Sequence, residues 1–155
     1  MYVGIGKSSA WPNDSQPPAE DETKTNIDEP LFFKKVMSAT LCRPLKSGET
    51  APSNAFTLGT DTYIPFSSNS MYSEFTPYVY IVTSFSYTDI GSVSFRETGL
   101  FAGLTVNSGV SKTVLTPADV ANVGGMISYS NHSPVTLNSS GKYTAGILLY
   151  VKMPN

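Results

Sequence analysis

The sequence carries Tyr78-Val79-Tyr80-Ile81-Val82-Thr83-Ser84-Phe85-Ser86-Tyr87 near its middle, the run with the highest β-propensity in the chain. β-Branched and aromatic side chains, which fit the pleated surface of a sheet, make up most of this run. The run therefore predicts a central β-strand, with Ile81 as an interior residue.

More strands are predicted before and after this run. Residues 2–6 form a short apolar run that glycine interrupts, which suits a strand and not a helix. Residues 55–66 predict a strand pair around Gly59-Thr60-Asp61, and residues 93–106 and 146–153 predict two further strands, the first with Phe101 in the interior. The short spacing of turn signals predicts a mainly β fold: an antiparallel β-sandwich or part-barrel with one or two short helices.

Two short helices are expected at the margin of these strands. Residues 31–37 follow Pro30, have Asp28 and Glu29 before them and contain two lysines, an order that complements a helix dipole. A strand over residues 36–42 is the alternative for the second half, and residues 43–54 are expected to be a loop. Residues 116–121 predict a single helical turn, with Thr116 as the N-cap and proline after it.

Residues 11–30 have a different composition from the rest of the chain. They contain four prolines, the acidic triplet 20–22 and only two large apolar side chains, Trp11 and Ile27. Because proline fixes φ and disfavours helix in the residue before it, an extended Pro-rich N-terminal arm is expected. The chain is thus divided into a strand (1–10), an arm (11–30) and one β-rich domain (31–155). The arm should order on a neighbouring subunit through an interface comprising Trp11, Pro12, Pro17, Pro18, Ile27 and Pro30. Deletion of residues 12–29 is then expected to leave a folded core.

Composition restricts the classes of function. The 155 residues are 40% apolar and 14% charged, with a net charge of −2, which argues against a protein that binds nucleic-acid phosphates. No apolar run approaches the roughly 18 residues that span a bilayer, and the N-terminus has no signal-peptide pattern, so synthesis and retention in a cytoplasm are expected. The hydroxyl-rich, weakly charged second half suits either a protein that neighbours cover or an ordinary secreted or viral β-domain.

No catalytic, metal or cofactor pattern is complete. Residues 4–9 match the last part of the phosphate-binding loop pattern. Met1 stands where that pattern requires its first glycine, so the pattern is incomplete. The only histidine, His132, is expected in a solvent-facing turn, and the only cysteine, Cys42, is expected to be buried and unpaired. A hydrolase that uses two carboxylates requires only a pair of acidic residues. Scattered acids supply such a pair by chance, so they do not indicate this kind of enzyme. We therefore expect no enzyme activity, no cofactor and no small-molecule substrate.

Short motifs at the two ends of the chain are similar to those of a known family. The front has Ile5-Gly6-Lys7-Ser8-Ser9-Ala10-Trp11 followed by Pro17-Pro18. The back has Phe95-Arg96-Glu97, Gly99-Leu100-Phe101, Pro117-Ala118-Asp119, Gly125-Met126-Ile127-Ser128-Tyr129, Pro134-Val135 and Ile147-Leu148-Leu149-Tyr150. In this order they resemble the baseplate wedge subunits of contractile-tailed bacteriophages, in a version much shorter than the T-even wedge protein.

The resemblance implies a structural virion protein of the tail, assembled in the host cytoplasm and placed in the baseplate. Its partners would be other tail or baseplate proteins and copies of itself, with no nucleic acid and no membrane, and it would act by interlocking of subunits. A neck or fibre-adaptor protein is one alternative. A carbohydrate- or receptor-binding domain at the tail tip is another, and a solvent-open cluster of aromatic rings flanked by Asn and Asp would favour it.

Overall fold

The computed structural model describes residues 1–66 and 76–151, and 51% of the chain is β-strand. The mainly β prediction, with antiparallel sheets that include a half-barrel, is confirmed. The described elements include one short helix, α1 (Tyr87–Ile90), and a 3-10 turn (Pro117–Asp119). The strands in chain order are β1 (Tyr2–Gly6), β2 (Phe32–Lys35), β3 (Ser38–Pro44), β4 (Phe56–Leu58), β5 (Asp61–Pro65), β6 (Tyr78–Ser86), β7 (Val93–Ala102), β8 (Thr105–Val106), β9 (Val114–Leu115), β10 (Val120–Asn122), β11 (Gly125–Leu137) and β12 (Lys142–Tyr150).

By its contacts the chain separates into two compact units, a division that differs from the boundaries proposed above from the sequence. Unit 1 comprises Met1–Val36 and Thr83–Ala145, and unit 2 comprises the described residues of Met37–Val82 and Gly146–Asn155. Residues 11–30 therefore belong to unit 1. Whether the strand, the arm and the domain fold independently stays a prediction.

Unit 1 is built on a five-stranded antiparallel sheet in the order β11-β7-β1-β2-β9. Its β7 has a long buried run, with every residue from 95 to 101 buried. Phe101 is fully buried, as predicted, and packs edge-on against Phe33 with 5.4 Å between ring centroids. These rings form a core cluster together with Ile27, Leu104 and Leu115.

Unit 2 contains most of a second five-stranded sheet, in the order β12-β6-β3-β5-β4. Residues 83–86 of β6 and 142–145 of β12 are assigned to unit 1. The predicted strand at residues 78–87 is β6, which pairs on both sides and buries Ile81 completely. The predicted strand pair at residues 55–66 is the β4–β5 hairpin, which turns at Gly59 with a φ of 60°. Both predictions are confirmed, although β3 and not β6 is the middle strand.

The helix predicted over residues 31–37 is wrong. Residues 32–35 form β2, which pairs with β1 so that Phe33 lies opposite Gly4. A helix would satisfy its own backbone, but pairing with β1 also buries the whole Phe33 side chain against Phe101. Tertiary burial outweighs the capping signals around Pro30. The turn predicted at residues 116–121 is confirmed, since Thr116 donates through N and Oγ1 to Asp119 Oδ2, both at 2.8 Å.

Glycines let chain segments approach β1 and β7 closely. Gly4 and Gly99 are register partners in these strands. A Cβ on Gly4 would lie 2.9 Å from the Phe33 and Phe101 rings, and one on Gly99 would lie 2.8 Å from Ile27 Cγ2. A Cβ on Gly6 would come within 2.5 Å of the Asp28 carbonyl oxygen, which also accepts a hydrogen bond from Lys7 N at 2.7 Å. The lack of side chains here creates the space that the core rings and residues 27–28 occupy.

We expect Gly6→Ala to lower the free energy of unfolding by about 1–3 kcal/mol, because the new methyl group meets backbone and not a movable side chain. Gly125→Ala in β11 is the matched control, since a Cβ there meets nothing within 4 Å. Denaturant titration of both variants measures the difference. Equal midpoints for the two would show that β1 does not hold residue 28 this closely.

Candidate assembly surface

Residues 11–30, predicted as a separate arm, lie against β7 and β11 of their own unit. Ile27 is 3% exposed and belongs to the core cluster with Phe33 and Phe101. Its side chain is therefore not available to a partner, and the placement of Ile27 in an interface is corrected. The burial of Ile27 counts against the expectation that deletion of residues 12–29 leaves a folded core, which stays a prediction.

A buried carboxylate fixes the second half of this segment. Glu97 in β7 is fully buried, and its two oxygens have partners in the segment. Lys24 Nζ donates to Oε1 at 2.7 Å, and the Asp28 backbone N–H donates to Oε2 at 2.6 Å. Burial lowers the pKa of Lys24, but the hydrogen bonds and charges of Glu97 and Asp28 outweigh it, so the net pKa is raised. Lys24 therefore stays protonated and remains paired with Glu97.

An arginine fixes the first half. Arg96, the neighbour of Glu97, donates through Nε and Nη2 to the two Asp14 oxygens at 2.6 and 2.8 Å, and through Nη1 to Ser8 O at 2.8 Å. Two parallel charged hydrogen bonds are the strongest pairing that arginine forms with a carboxylate. The hydrogen bond from Arg96 is the largest cause that lowers the pKa of Asp14 to about 2.

Trp11 also has its contacts within the chain. Its indole Nε1 donates to His132 O at 3.2 Å, its backbone N donates to Asp14 Oδ1 at 3.0 Å, and Lys7 Nζ lies 5.2 Å from the ring centroid. The ring is half-buried. His132 was expected in a solvent-facing turn, but it lies in β11, half-buried, with Nε2 3.1 Å from Thr98 Oγ1. A register shift in β11 between Asn131 and Val135 takes the place of that turn.

The four prolines of the predicted interface differ in their exposure to solvent. Pro12 and Pro18 are exposed, whereas Pro17 and Pro30 are half-buried. The Pro18 carbonyl accepts a hydrogen bond from Asn131 Nδ2 at 3.0 Å, which ties this part of the segment to β11. Trp11 and the prolines therefore stand on an ordered surface of unit 1, and their part in an interface stays a prediction.

Two grooves run between this segment and β11. One has a volume of about 330 Å³ and is lined by residues 20–22, Lys24 and β11 residues 126–129. The other has a volume of about 380 Å³ and extends from Tyr129 to Trp11 and Pro18. Ile127, at the rim of the first, is 47% exposed. We call residues 11–30 together with β11 residues 125–131 the segment–β11 surface.

The sequence predicted only some of the residues that build this surface. Asp14, Lys24 and Glu97 were not predicted to be site residues, because their partners lie 69 to 82 positions away. One signal could have found them: adjacent charged residues, Arg96 and Glu97, stand inside an apolar strand. Buried charges require partners, and the segment at residues 11–30 supplies them.

Neither a cluster that could hold a metal ion nor a helix that could cross a membrane occurs among the described residues. Within residues 1–66 and 76–151, no group of three His, Cys, Asp or Glu side chains could hold a metal ion. Cys42 is free and buried, as expected, and burial raises the pKa of its thiol. In the same ranges, no helix is long and apolar enough to cross a membrane.

Unit 2 contains a row of aromatic rings that bears on the carbohydrate-binding alternative. Consecutive ring centroids lie 3.8 to 5.9 Å apart along Tyr80, Phe56, Tyr63, Tyr78 and Tyr150. Tyr63 is 8% exposed, and of these five only Tyr150, at 63%, is mainly exposed. Because the rings pack against one another, they stabilise the sheet and do not form an open platform for sugar stacking.

Comparison with known proteins identifies relatives. A family model described as "Baseplate wedge 3 tail fiber network component" matches residues 1–151. The chain is also similar to virion protein 3 of Enterococcus phage phiEF24C. The two are 28% identical over 131 residues, which cover 84% of this chain and 72% of that relative.

Two isoleucines test whether residues 11–30 stabilise the monomer. We expect Ile27→Ala to lower the free energy of unfolding by about 2–5 kcal/mol, because it leaves a cavity between β7 and the segment. Ile127→Ala, at a position 47% exposed, should change it by about 0.5 kcal/mol or less. Denaturant midpoints followed by circular dichroism measure both. Similar midpoints for the two variants would contradict the burial of Ile27.

Acid should loosen the segment at residues 11–30 before the sheets unfold. The pKa of Asp14 is lowered from 3.8, and that of Glu29 from 4.5, each to about 2, chiefly by hydrogen bonds from Arg96 and from Ser9 respectively. An acid whose pKa is lower in the folded chain stabilises the fold above its unfolded value and loses that effect as the pH falls to the folded value. The loss therefore lies between about pH 4.5 and 2.

Trp11 is the only tryptophan, so its fluorescence reports on the segment while circular dichroism reports on the strands. The fluorescence change should come at higher pH than the loss of strand signal. Asp14→Asn should alter the fluorescence transition, whereas Asp61→Asn, in the hairpin of unit 2, should leave it as in the wild type. A single coincident transition in all three proteins would count against local release.

Proposed function

Because the chain belongs to the baseplate wedge 3 tail fiber network component family, we propose that it is a wedge-type subunit that interlocks with neighbouring tail proteins through the segment–β11 surface. The family match over residues 1–151 is the observation that carries this proposal. The protein is a structural component of the phage virion and is located in the baseplate. Its role as a wedge and the use of this particular surface are the proposed steps.

The mechanism of interlocking follows from how the segment is held. Ion pairs from Arg96 and Glu97 order the segment on β7 before any partner arrives. Fixing the backbone of a disordered segment costs about 1–2 kcal/mol per residue on binding. A segment that is already ordered avoids this cost, so a neighbour meets a preformed surface with exposed Pro12 and Pro18. The hydrogen bond from Trp11 Nε1 to His132 O also holds this surface against β11.

The composition of the surface supports a permanent contact. The β11 part of the surface, residues 125–131, has no charged side chain, so contacts there form without burying unpaired charges. Exposed apolar side chains such as Ile127 and the exposed prolines provide area to bury. The description of the family favours tail-fibre proteins among the partners, and we propose that this surface contacts a member of that network.

The test is assembly in the phage. Ile127→Ser should reduce incorporation of the protein into virions by about tenfold, which corresponds to roughly 1.4 kcal/mol of lost contact energy. Val106→Ser is the matched control, because Val106 is also an exposed strand residue of unit 1, 37% exposed, and lies outside the surface. Quantitative mass spectrometry of purified virions measures incorporation, and circular dichroism verifies folding.

Imaging of the intact particle completes the test. Residues 11–30 should lie against another chain, with Pro12 and Pro18 in the contact. Equal incorporation of both serine variants, or a virion structure in which this segment touches only its own chain, would refute the proposal.

A further inference from the structure

We propose that the two grooves beside Tyr129 bind a basic, apolar segment of a different baseplate protein. This inference rests on the proposed function and names the chemistry of the partner. The grooves share Asp21, Lys24 and Tyr129 and are therefore adjacent, and we call the two together, from Ile127 to Trp11, the trough. The Tyr129 hydroxyl bonds to the backbone of Asp21, which fixes the position of the ring between the two grooves.

The charge of the trough selects the partner. Five carboxylates line it (Glu20, Asp21, Glu22, Asp28 and Glu97) against one ammonium, that of Lys24. Lys24 already pairs with Glu97 at 2.7 Å and with Asp28 at 3.1 Å. In the part of the chain that the structure describes, no ion pair joins a cation to residues 20–22. The trough thus presents a net negative rim that lysine or arginine side chains complement.

The apolar lining selects side chains of a second kind. Met126, Ile127 and Tyr129 line one groove, and Trp11 and Pro18 line the other. β11 has a register shift between Met126 and Ser128, so Ile127 stands at a bulge on the outer strand of its sheet. The backbone N–H of Asn131 is bonded to Glu20 Oε1 at 3.3 Å. The bulge and this bond oppose addition of a new strand and favour docking by side chains.

A second copy of this chain fits the trough less well. Of the nine basic residues that the structure describes, six form ion pairs within the chain: Lys7, Lys24, Lys34, Arg43, Arg96 and Lys112. The other three, Lys35, Lys46 and Lys142, are far apart in the sequence. The described part of the chain therefore has no run of unpaired cations to offer, which assigns the occupant to another protein.

Charge reversal tests the proposal in the phage. Glu22 is exposed, so Glu22→Lys should fold normally while its incorporation into virions falls by about tenfold. Asp61→Lys is the matched control, since Asp61 is an exposed acid of unit 2. Trp11 fluorescence of the purified variants verifies that the segment keeps its place. Equal incorporation of Glu22→Lys and Asp61→Lys would overturn the proposal.

Carbodiimide cross-linking of wild-type virions identifies the occupant, because the reagent joins a carboxylate to an ammonium in direct contact. Residues 20–22 should be joined to a lysine of another baseplate protein. A fall in incorporation without a cross-link supports an arginine, which the reagent does not couple. A cross-link to a second copy would overturn the choice of partner. If other carboxylates of this chain are joined to baseplate neighbours and Glu22→Lys assembles normally, the inference fails and the proposed function stands.

Discussion

A carboxylate buried in β7 of the unit 1 sheet determines how the segment at residues 11–30 is placed. Glu97 is fully buried in β7, and an unpaired charge in that position would cost several kcal/mol. Residues 24–28 supply what it requires, an ammonium from Lys24 and the backbone N–H of Asp28. Once they are held there, Ile27 is directed into the core beside Gly99, where any larger residue would collide with it.

The contact of Glu97 with residues 24–28 also changes how assembly is expected to proceed. A loose arm that orders on its neighbour loses conformational entropy when it binds, whereas residues 11–30 have already lost that entropy in folding. The prolines limit the freedom of the unfolded segment and so make this ordering less costly. The segment is therefore part of the monomer, and in the proposed function its outer side also offers a contact. Under that proposal stability and assembly are separable, because Ile27 in the segment serves the first and Ile127 in β11 serves the second.

Family membership and physical chemistry agree on the type of function. The family match makes the chain a structural component of the virion, and a weakly charged chain suits a protein that its neighbours cover. The aromatic residues that could have suggested a sugar platform are used in cross-strand packing in unit 2. What distinguishes this surface is the acidic trough beside Tyr129, where charge and apolar area occur together.

The sequence by itself determined the β class, the β6 strand, the β4–β5 hairpin and the Thr116 turn, because side-chain alternation and turn chemistry act between near neighbours. The same holds for the front and back motifs that indicated the family. Tertiary structure decided the rest. Residues 32–35 became a strand because Phe33 gains more burial opposite Gly4 than a helix provides. Residues 11–30 folded back because Arg96 and Glu97 need partners that lie 69 to 88 positions away. Such pairings depend on which strands become neighbours, and no local pattern encodes that.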